Sequence, residues 1–261
     1  PIRLAVVDID GCLTPGAKGE WNWPAVQAMA QLNRRERKGQ AVPAVTLCTG
    51  RPAPYVEVLM QAIGAHLPGI YENGCGLYFR GRFRYVEHPS ITMQTREALV
   101  AAKLHLYAKV VKPGLAFLQP GKEVSLTFYP LPGTSLPLLR QIVADELASQ
   151  DIPVTIQTSV SCVDVTPLGI DKGVGVRWLA EQTGIGLEQM GGIGDSSSDL
   201  TFLRLVGRSA APANAVPEVR AAVDYVSDSE DGDGVLEILR HWCSQACDEV
   251  LPSPQGEGMQ Q

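Results

Sequence analysis

The sequence predicts an α/β fold: a doubly wound, mainly parallel sheet with a smaller α+β unit inserted into it. Three observations carry this expectation. Apolar, β-branched runs alternate with helix-length stretches through the first third of the chain. The alternation stops in the middle third, where paired strand-like runs follow single helices. It resumes from about residue 170 and continues to about 243.

The first strand is read at about 2–8, in "LAVVDIDG", an apolar run of the kind buried on both faces of a parallel sheet. A helix starts at Pro24, a residue favoured in the first turn. The strand "AVTLC" (44–48) runs into "TGRP", and Pro52 opens a helix through about Ile63. A short strand near 69–72 leads to "ENG", and the Arg-Gly at the centre of "GLYFRGRFRYV" marks a hairpin. The middle third reads as a helix at about 92–108, then "LAFLQ" and "EVSLTFYPL" joined by a "PGKE" turn. A helix at about 135–149 and the runs "PVTIQT" and "SCVDVTP" complete it. The last third gives a helix at 171–183, the strand "MGGIGD", a helix near 198–206 and the strand "SAAPA". A helix from Pro217, the strand "DYVS" and a helix at 234–243 follow. This layout places a core domain at 1–84 and 167–243 and an inserted domain at 85–166. Residues 252–261, polar and rich in Gly and Pro, are expected to be a disordered tail.

Composition narrows the function. The 261 residues are 45% hydrophobic and 19% charged with a net charge of −6, which is ordinary for a soluble globular protein and argues against a nucleic-acid partner. The one basic run, "NRRERKG" at 33–39, complements a helix C-terminus. No apolar stretch approaches the roughly 20 residues that span a bilayer, so no membrane partner and a cytoplasmic location are expected. Six cysteines (Cys12, Cys48, Cys75, Cys162, Cys243, Cys247) form no CxxC pair, and no disulfide framework is expected.

Chemistry gathers where the strands end, the edge at which doubly wound sheets bind ligands. Strand one ends in Asp8-Ile9-Asp10-Gly11, strand two in Thr49-Gly50-Arg51, and a later strand in Asp195 with Asp199 four residues on. Lys172 starts the helix that returns to the first domain. Each piece alone has an ordinary reading as a turn, a cap or a solvated helix residue. Together, carboxylates, a hydroxyl and a lysine on one edge suit a hard divalent cation facing a phosphoryl group, because Mg²⁺ prefers a few carboxylates plus phosphate oxygens. Gly11 and Gly50 would let backbone N–H groups approach that phosphate. Asp8 is placed to attack phosphorus, and Asp10 to protonate the leaving oxygen and then activate water.

With these motifs in view, "DIDG" (8–11), "TGR" (49–51), Lys172 and "GDSSSD" (194–199), the sequence resembles the haloacid dehalogenase superfamily of phosphatases. It is most similar to the sugar-phosphatase branch, which includes sucrose-phosphate, mannosyl-phosphoglycerate and archaeal phosphoglycolate phosphatases. The likeness extends to "YENGCGLYF" (71–79), "APANAVPEVRAAVDYV" (211–226) and "DGDGV" (231–235), and the insertion sits where that branch carries a C2-type cap. The resemblance implies Asp8 as nucleophile and Mg²⁺ ligand and Asp10 as general acid/base with its carbonyl on the metal. It implies Thr49 and Lys172 on the phosphoryl group, Asp195 as a metal ligand, and Asp199 and Ser198 behind it. Arg51 and Asn214 fall near the phosphate site, and Glu72 and Asn73 become partners for substrate hydroxyls. Two positions depart from the family pattern: Cys12 replaces a threonine, and Ser198 replaces an asparagine.

The expected reaction is Mg²⁺-dependent hydrolysis of a small phosphorylated sugar or organic acid through an aspartyl-phosphate. A phosphomutase using the same intermediate and a non-catalytic sugar-phosphate sensor are the alternatives. An insertion of about 80 residues leaves room for a small phosphoester, and Lys109, Lys112, Lys122 and Arg140 are the charged candidates for facing it. The chain is expected to be a monomer or homodimer.

Overall fold

The computed structural model describes residues 1–243. A five-stranded parallel sheet, in the order β12-β11-β10-β1-β2, forms its centre. The strands are β1 (Leu4–Val7), β2 (Ala44–Leu47), β10 (Met190–Ile193), β11 (Arg208–Ala211) and β12 (Tyr225–Val226). β1 pairs with β2 from Leu4↔Ala44 to Val7↔Leu47, and with β10 from Leu4↔Met190 to Val7↔Ile193. The chain therefore winds outward from β1 in both directions, and the crevice beyond the ends of β1, β2 and β10 is the switch point of the fold.

Period-two alternation splits β1 between two apolar layers. Ala5 and Val7 join the layer of α1 (Trp23–Glu36), α2 (Ala53–Ala62) and α8 (Asp231–Cys243). Leu4 and Val6 join that of α5 (Lys172–Thr183) and α6 (Leu200–Leu203). A strand covered on both faces can be apolar throughout, which is why "LAVV" shows no polar alternation. Side-chain caps fix the helix starts: the Asn22 side chain accepts from Ala25 N at 2.9 Å, and Asp171 accepts from Val174 N at 2.8 Å.

An antiparallel ribbon of β3 (Gly69–Tyr71), β4 (Gly76–Phe79) and β5 (Arg84–Glu87) leaves the core, linked to the main sheet by a bridge between Cys48 and Ile70. The chain then builds the inserted unit. Its antiparallel sheet runs β6-β7-β9-β8, from β6 (Ala116–Leu118), β7 (Leu126–Pro130), β8 (Val154–Thr158) and β9 (Val163–Pro167). α3 (Met93–Leu106), prolonged by a π-helical turn at Tyr107–Val111, and α4 (Leu136–Ala148) pack on one face. Leu126, Phe128, Val163 and Val165 meet those helices. The residues between them, Thr127, Tyr129 and Asp164, point the other way, toward the core.

Two helices near the end of the chain differ from their expected spans. The expected helix at 198–206 is a 3₁₀ turn at Ser197–Asp199 followed by the single turn of α6, and α8 begins at Asp231, three residues earlier than expected. The expected helix from Pro217 is present as one turn, α7 (Pro217–Arg220). The shortness of α6 follows from backbone demands: Asp199 spends its side chain on loop N–H groups, and Gly207 N is drawn to Leu187 O at 2.8 Å. Cys12, Cys48, Cys75 and Cys162 are buried thiols without disulfides, and the expected tail and Cys247 lie outside the described residues.

Candidate active site

A cavity of about 1030 Å³ lies between the C-terminal edge of the parallel sheet and the inserted unit. Its core wall carries Asp8, Asp10, Thr49, Lys172 and Asp195, and Asp199 lies behind that wall, bonded to Lys172.

Lys172 is the centre of this wall. Its ammonium is buried and lies 3.0 Å from Asp8 Oδ1 and 2.5 Å from Asp199 Oδ1. The helix start at Asp171 brings it there, because the capped first turn of α5 projects its first residue over the end of β1. Asp199 has no oxygen to spare. Its Oδ2 accepts from Asp195 N at 3.1 Å and from Ser196 N and Ser196 Oγ at 2.9 Å. Asp199 thus shapes the 195–196 loop and holds Lys172.

Asp8, Asp195 and Asp199 can each offer an oxygen within 4.8 Å of the others, and all three are buried. One lysine faces three acids, and the imbalance is visible in their proton affinities. Burial pushes Asp8 up to about 7; Lys172 opposes this, while Asp199 and Asp10 add to it. Burial also raises Asp195 well above the carboxylate range, with Asp199 and Asp8 as the neighbouring charges. Asp195 Oδ1 is buried without a hydrogen-bond partner. An unpaired buried carboxylate oxygen costs free energy unless a cation meets it. The donor set, hard oxygens with an orphaned one among them, fits a divalent cation of the Mg²⁺ type. Because Asp199 is saturated, Asp8 and Asp195 are the acids left to hold it. Gly11 leaves room for that arrangement: it adopts φ +83°, and a Cβ there would sit 2.1 Å from Asp195 Oδ2.

Asp10 is turned away from the acidic cluster. Its two oxygens accept from Arg51 Nε at 2.7 Å and Nη2 at 2.6 Å. Arg51 also donates to Ala17 O at 3.2 Å and lies 4.8 Å above the Tyr55 ring. Arg51, expected near the phosphate, is the partner of Asp10 here. Thr49, fully buried, accepts from Arg51 N at 3.1 Å, so the "TGR" turn is closed by its own hydroxyl. Asn214 ties the edge together by donating to Gly11 O at 2.9 Å and accepting from Asp231 N at 2.7 Å. Ser198 lines the cavity and contacts Ser196 Oγ at 2.9 Å. Gly50 packs against the Asn73 side chain, leaving no room for a Cβ.

The two residues expected to meet substrate hydroxyls separate. Asn73, in the left-handed region at φ 56°, lines the cavity and has a buried Nδ2 without a partner. Glu72 is instead sealed between the core and the inserted unit. Its carboxylate accepts from Glu123 N at 3.1 Å, Val124 N at 3.0 Å and Ser125 Oγ at 2.8 Å. Burial raises its proton affinity, and those donors together with Lys122 oppose the rise. It binds protein, not substrate, because the loop at 123–125 descends onto it.

Among the charged residues of the insertion, Lys109, Lys112 and Arg140 are exposed and do not line the cavity. Lys122 does, and it is buried, bonded to Thr127 Oγ1 and 3.3 Å from Asp164 Oδ1. The sequence reading did not single out Thr127, Tyr129 or Asp164. The alternation in "LTFYP" and "VDVTP" was the signal that places them on one face.

A family model described as haloacid dehalogenase-like hydrolase matches residues 138–239. The phosphoglycolate phosphatase of Methanothermobacter thermautotrophicus is 28% identical over 243 residues, covering 92% of this chain and 99% of that protein. A crystal structure from Thermoplasma acidophilum superposes with a TM-score of 0.71 at 24% identity, over 92% of this chain and 98% of that one. The sucrose-phosphatase of Synechocystis, solved with sucrose and phosphate, has a TM-score of 0.62 at 20% identity, over 92% and 97%. The chain is thus similar, along nearly its whole length, to phosphatases, and over residues 138–239 to the haloacid dehalogenase-like hydrolases. Among the described residues no helix is long and apolar enough to cross a membrane.

Proposed function

We propose that the chain hydrolyses the phosphate ester of a small sugar or organic acid, with Asp8 as nucleophile and Mg²⁺ as cofactor. The chain is a phosphatase; the particular reaction and the residue roles are our reading. The observation that carries it is the buried acidic cluster around Lys172 at the switch point of the sheet.

Asp8 ends β1, where strand pairing on both sides fixes the backbone behind it. Its carboxylate attacks phosphorus, the ester oxygen leaves, and an aspartyl-phosphate remains to be hydrolysed by water. Lys172, held by Asp8 and Asp199, stabilises the charge that builds on the phosphoryl oxygens. Thr49 and the neighbouring backbone N–H groups receive those oxygens. Asp8 and Asp195, with the Asp10 carbonyl, would hold the Mg²⁺, whose charge neutralises the acids and draws the phosphate in. Asp10 delivers the proton to the leaving oxygen and takes one from the incoming water. Arg51 orients its carboxylate, so proton transfer requires that this fork be shared or released. The insertion, read as a cap spanning about 85–166, roofs the cavity and excludes water.

The test is phosphate release from a panel of sugar phosphates, phosphoglycolate and an aryl phosphate, with Mg²⁺ and with EDTA. Release that requires Mg²⁺ supports the reading. No release from any member, by protein that still binds Mg²⁺, would discard hydrolysis.

A further inference from the structure

Every cation that the cavity buries is already matched to an acid. On the core wall Arg51 is held by Asp10, and Lys172 by Asp8 and Asp199. On the facing wall Lys122 is paired with Asp164, with Thr127 between them, donating to Asp164 Oδ1. Both charged side chains of that pair are nearly closed to solvent, at 2% and 6% exposure. Lys18, the remaining lining cation, is exposed on the 15–19 loop. Gln119, Ser159 and Ser161 surround the pair with neutral donors and acceptors.

We infer that Lys122 and Asp164 form the leaving-group subsite, and that it selects a neutral polyhydroxylated group over a carboxylate. This deepens the proposed function and rests on it. The argument is electrostatic. A buried cation with no partner would attract a carboxylate, whereas a matched pair presents a donor beside an acceptor and no net charge. A hydroxyl can use both at once, donating to Asp164 and accepting from Lys122. A carboxylate can use only Lys122 and must lie against Asp164, a like-charge contact in a poorly solvated place. Shape agrees. The cavity of about 1030 Å³ sits at the top of the roughly 300–1,000 Å³ common for small-molecule sites, and phosphoglycolate would leave most of it empty.

Position is fixed by a residue of the core that lies outside the cavity, sealed under the inserted unit. Glu72 anchors the backbone at 123 and 124 and the Ser125 hydroxyl. That clamp holds the adjoining Lys122 over the cavity, which makes Glu72 a positioning residue.

The experiment compares kcat/KM for a hexose phosphate and for phosphoglycolate, with an aryl phosphate to establish phosphatase activity independently. Wild type is expected to prefer the hexose phosphate by roughly tenfold or more. Asp164→Asn, isosteric and still able to accept from Thr127, exposes the Lys122 charge and should move the ratio toward phosphoglycolate by a similar factor. Lys122→Met should raise KM for the hexose phosphate more than it lowers kcat. A wild-type preference for phosphoglycolate overturns the inference while leaving phosphatase activity intact. So does an unchanged ratio in Asp164→Asn. If Asp164→Asn does not fold, the wild-type ratio alone decides. No hydrolysis even of the aryl phosphate removes the proposed function and this inference with it.

Discussion

The two walls of the cavity handle charge in opposite ways. On the core wall three buried acids, Asp8, Asp195 and Asp199, share one lysine. On the wall of the inserted unit one acid meets one lysine, Asp164 and Lys122. The difference has a backbone origin. Parallel strands converge at their carboxyl ends, so residues far apart in sequence are crowded together whether or not their charges match. In the antiparallel sheet, Thr127 and Asp164 are cross-strand partners in register, and Lys122, on the turn before β7, reaches both. In our proposal the unbalanced wall takes the cation and the phosphate, and the balanced one the neutral group.

The sharpest way to break the contrast is to remove the acid proposed to attack. Asp8→Asn keeps the shape of β1 and deletes the proposed nucleophile, and is expected to lower kcat by at least about 10³-fold, measured as phosphate release in saturating Mg²⁺. Lys172→Met comes next. Losing the cation at the centre of the acidic cluster should reduce kcat by about 10²–10³-fold with a smaller change in KM. A loss confined to KM would place Lys172 in ground-state binding instead.

The imbalance also has a signature in stability. In EDTA, Asp8 is pushed up to about 7 by burial, so it favours the folded state while protonated. That contribution is complete below the ordinary carboxylate range and disappears as pH rises through about 7. The melting temperature of metal-free protein should therefore fall between about pH 4 and pH 7, and added Mg²⁺ should restore it most at the upper end. An Mg²⁺ effect that does not grow with pH would mean that the acids are not the site of binding.

The smallest effect falls where the walls meet. Glu72→Ala would leave two backbone N–H groups and a hydroxyl without their acceptor, at a cost of about 2–4 kcal/mol seen in chemical denaturation. Unchanged stability would show that the clamp at 123–125 closes without it.

The site was legible in the sequence to the extent that it depends on strand ends. Asp8, Asp10, Thr49 and Asp195 each follow an apolar run, and runs of that kind can pair only as parallel, doubly covered strands. Asn73 lies at the cavity on the turn after β3, in the left-handed region, packed against Gly50 of the second strand end. Residues whose roles depend on side-chain partners were not legible. Arg51 is separated from Asp10 by 41 positions, and Glu72 from Ser125 by 53. No local pattern reports such a pairing.

The sequence by itself determined the order of strands and helices, the interruption by a second unit, and the residues that gather at the switch point. It could do so because hydrophobic periodicity and turn chemistry act over a few residues. Only the tertiary structure decided that Arg51 grips Asp10, that Glu72 serves as a clamp, and that Lys122 is buried against Asp164. Those choices follow from which side chains lose water together when the two units close on one another, and burial of that kind is a property of the assembled chain.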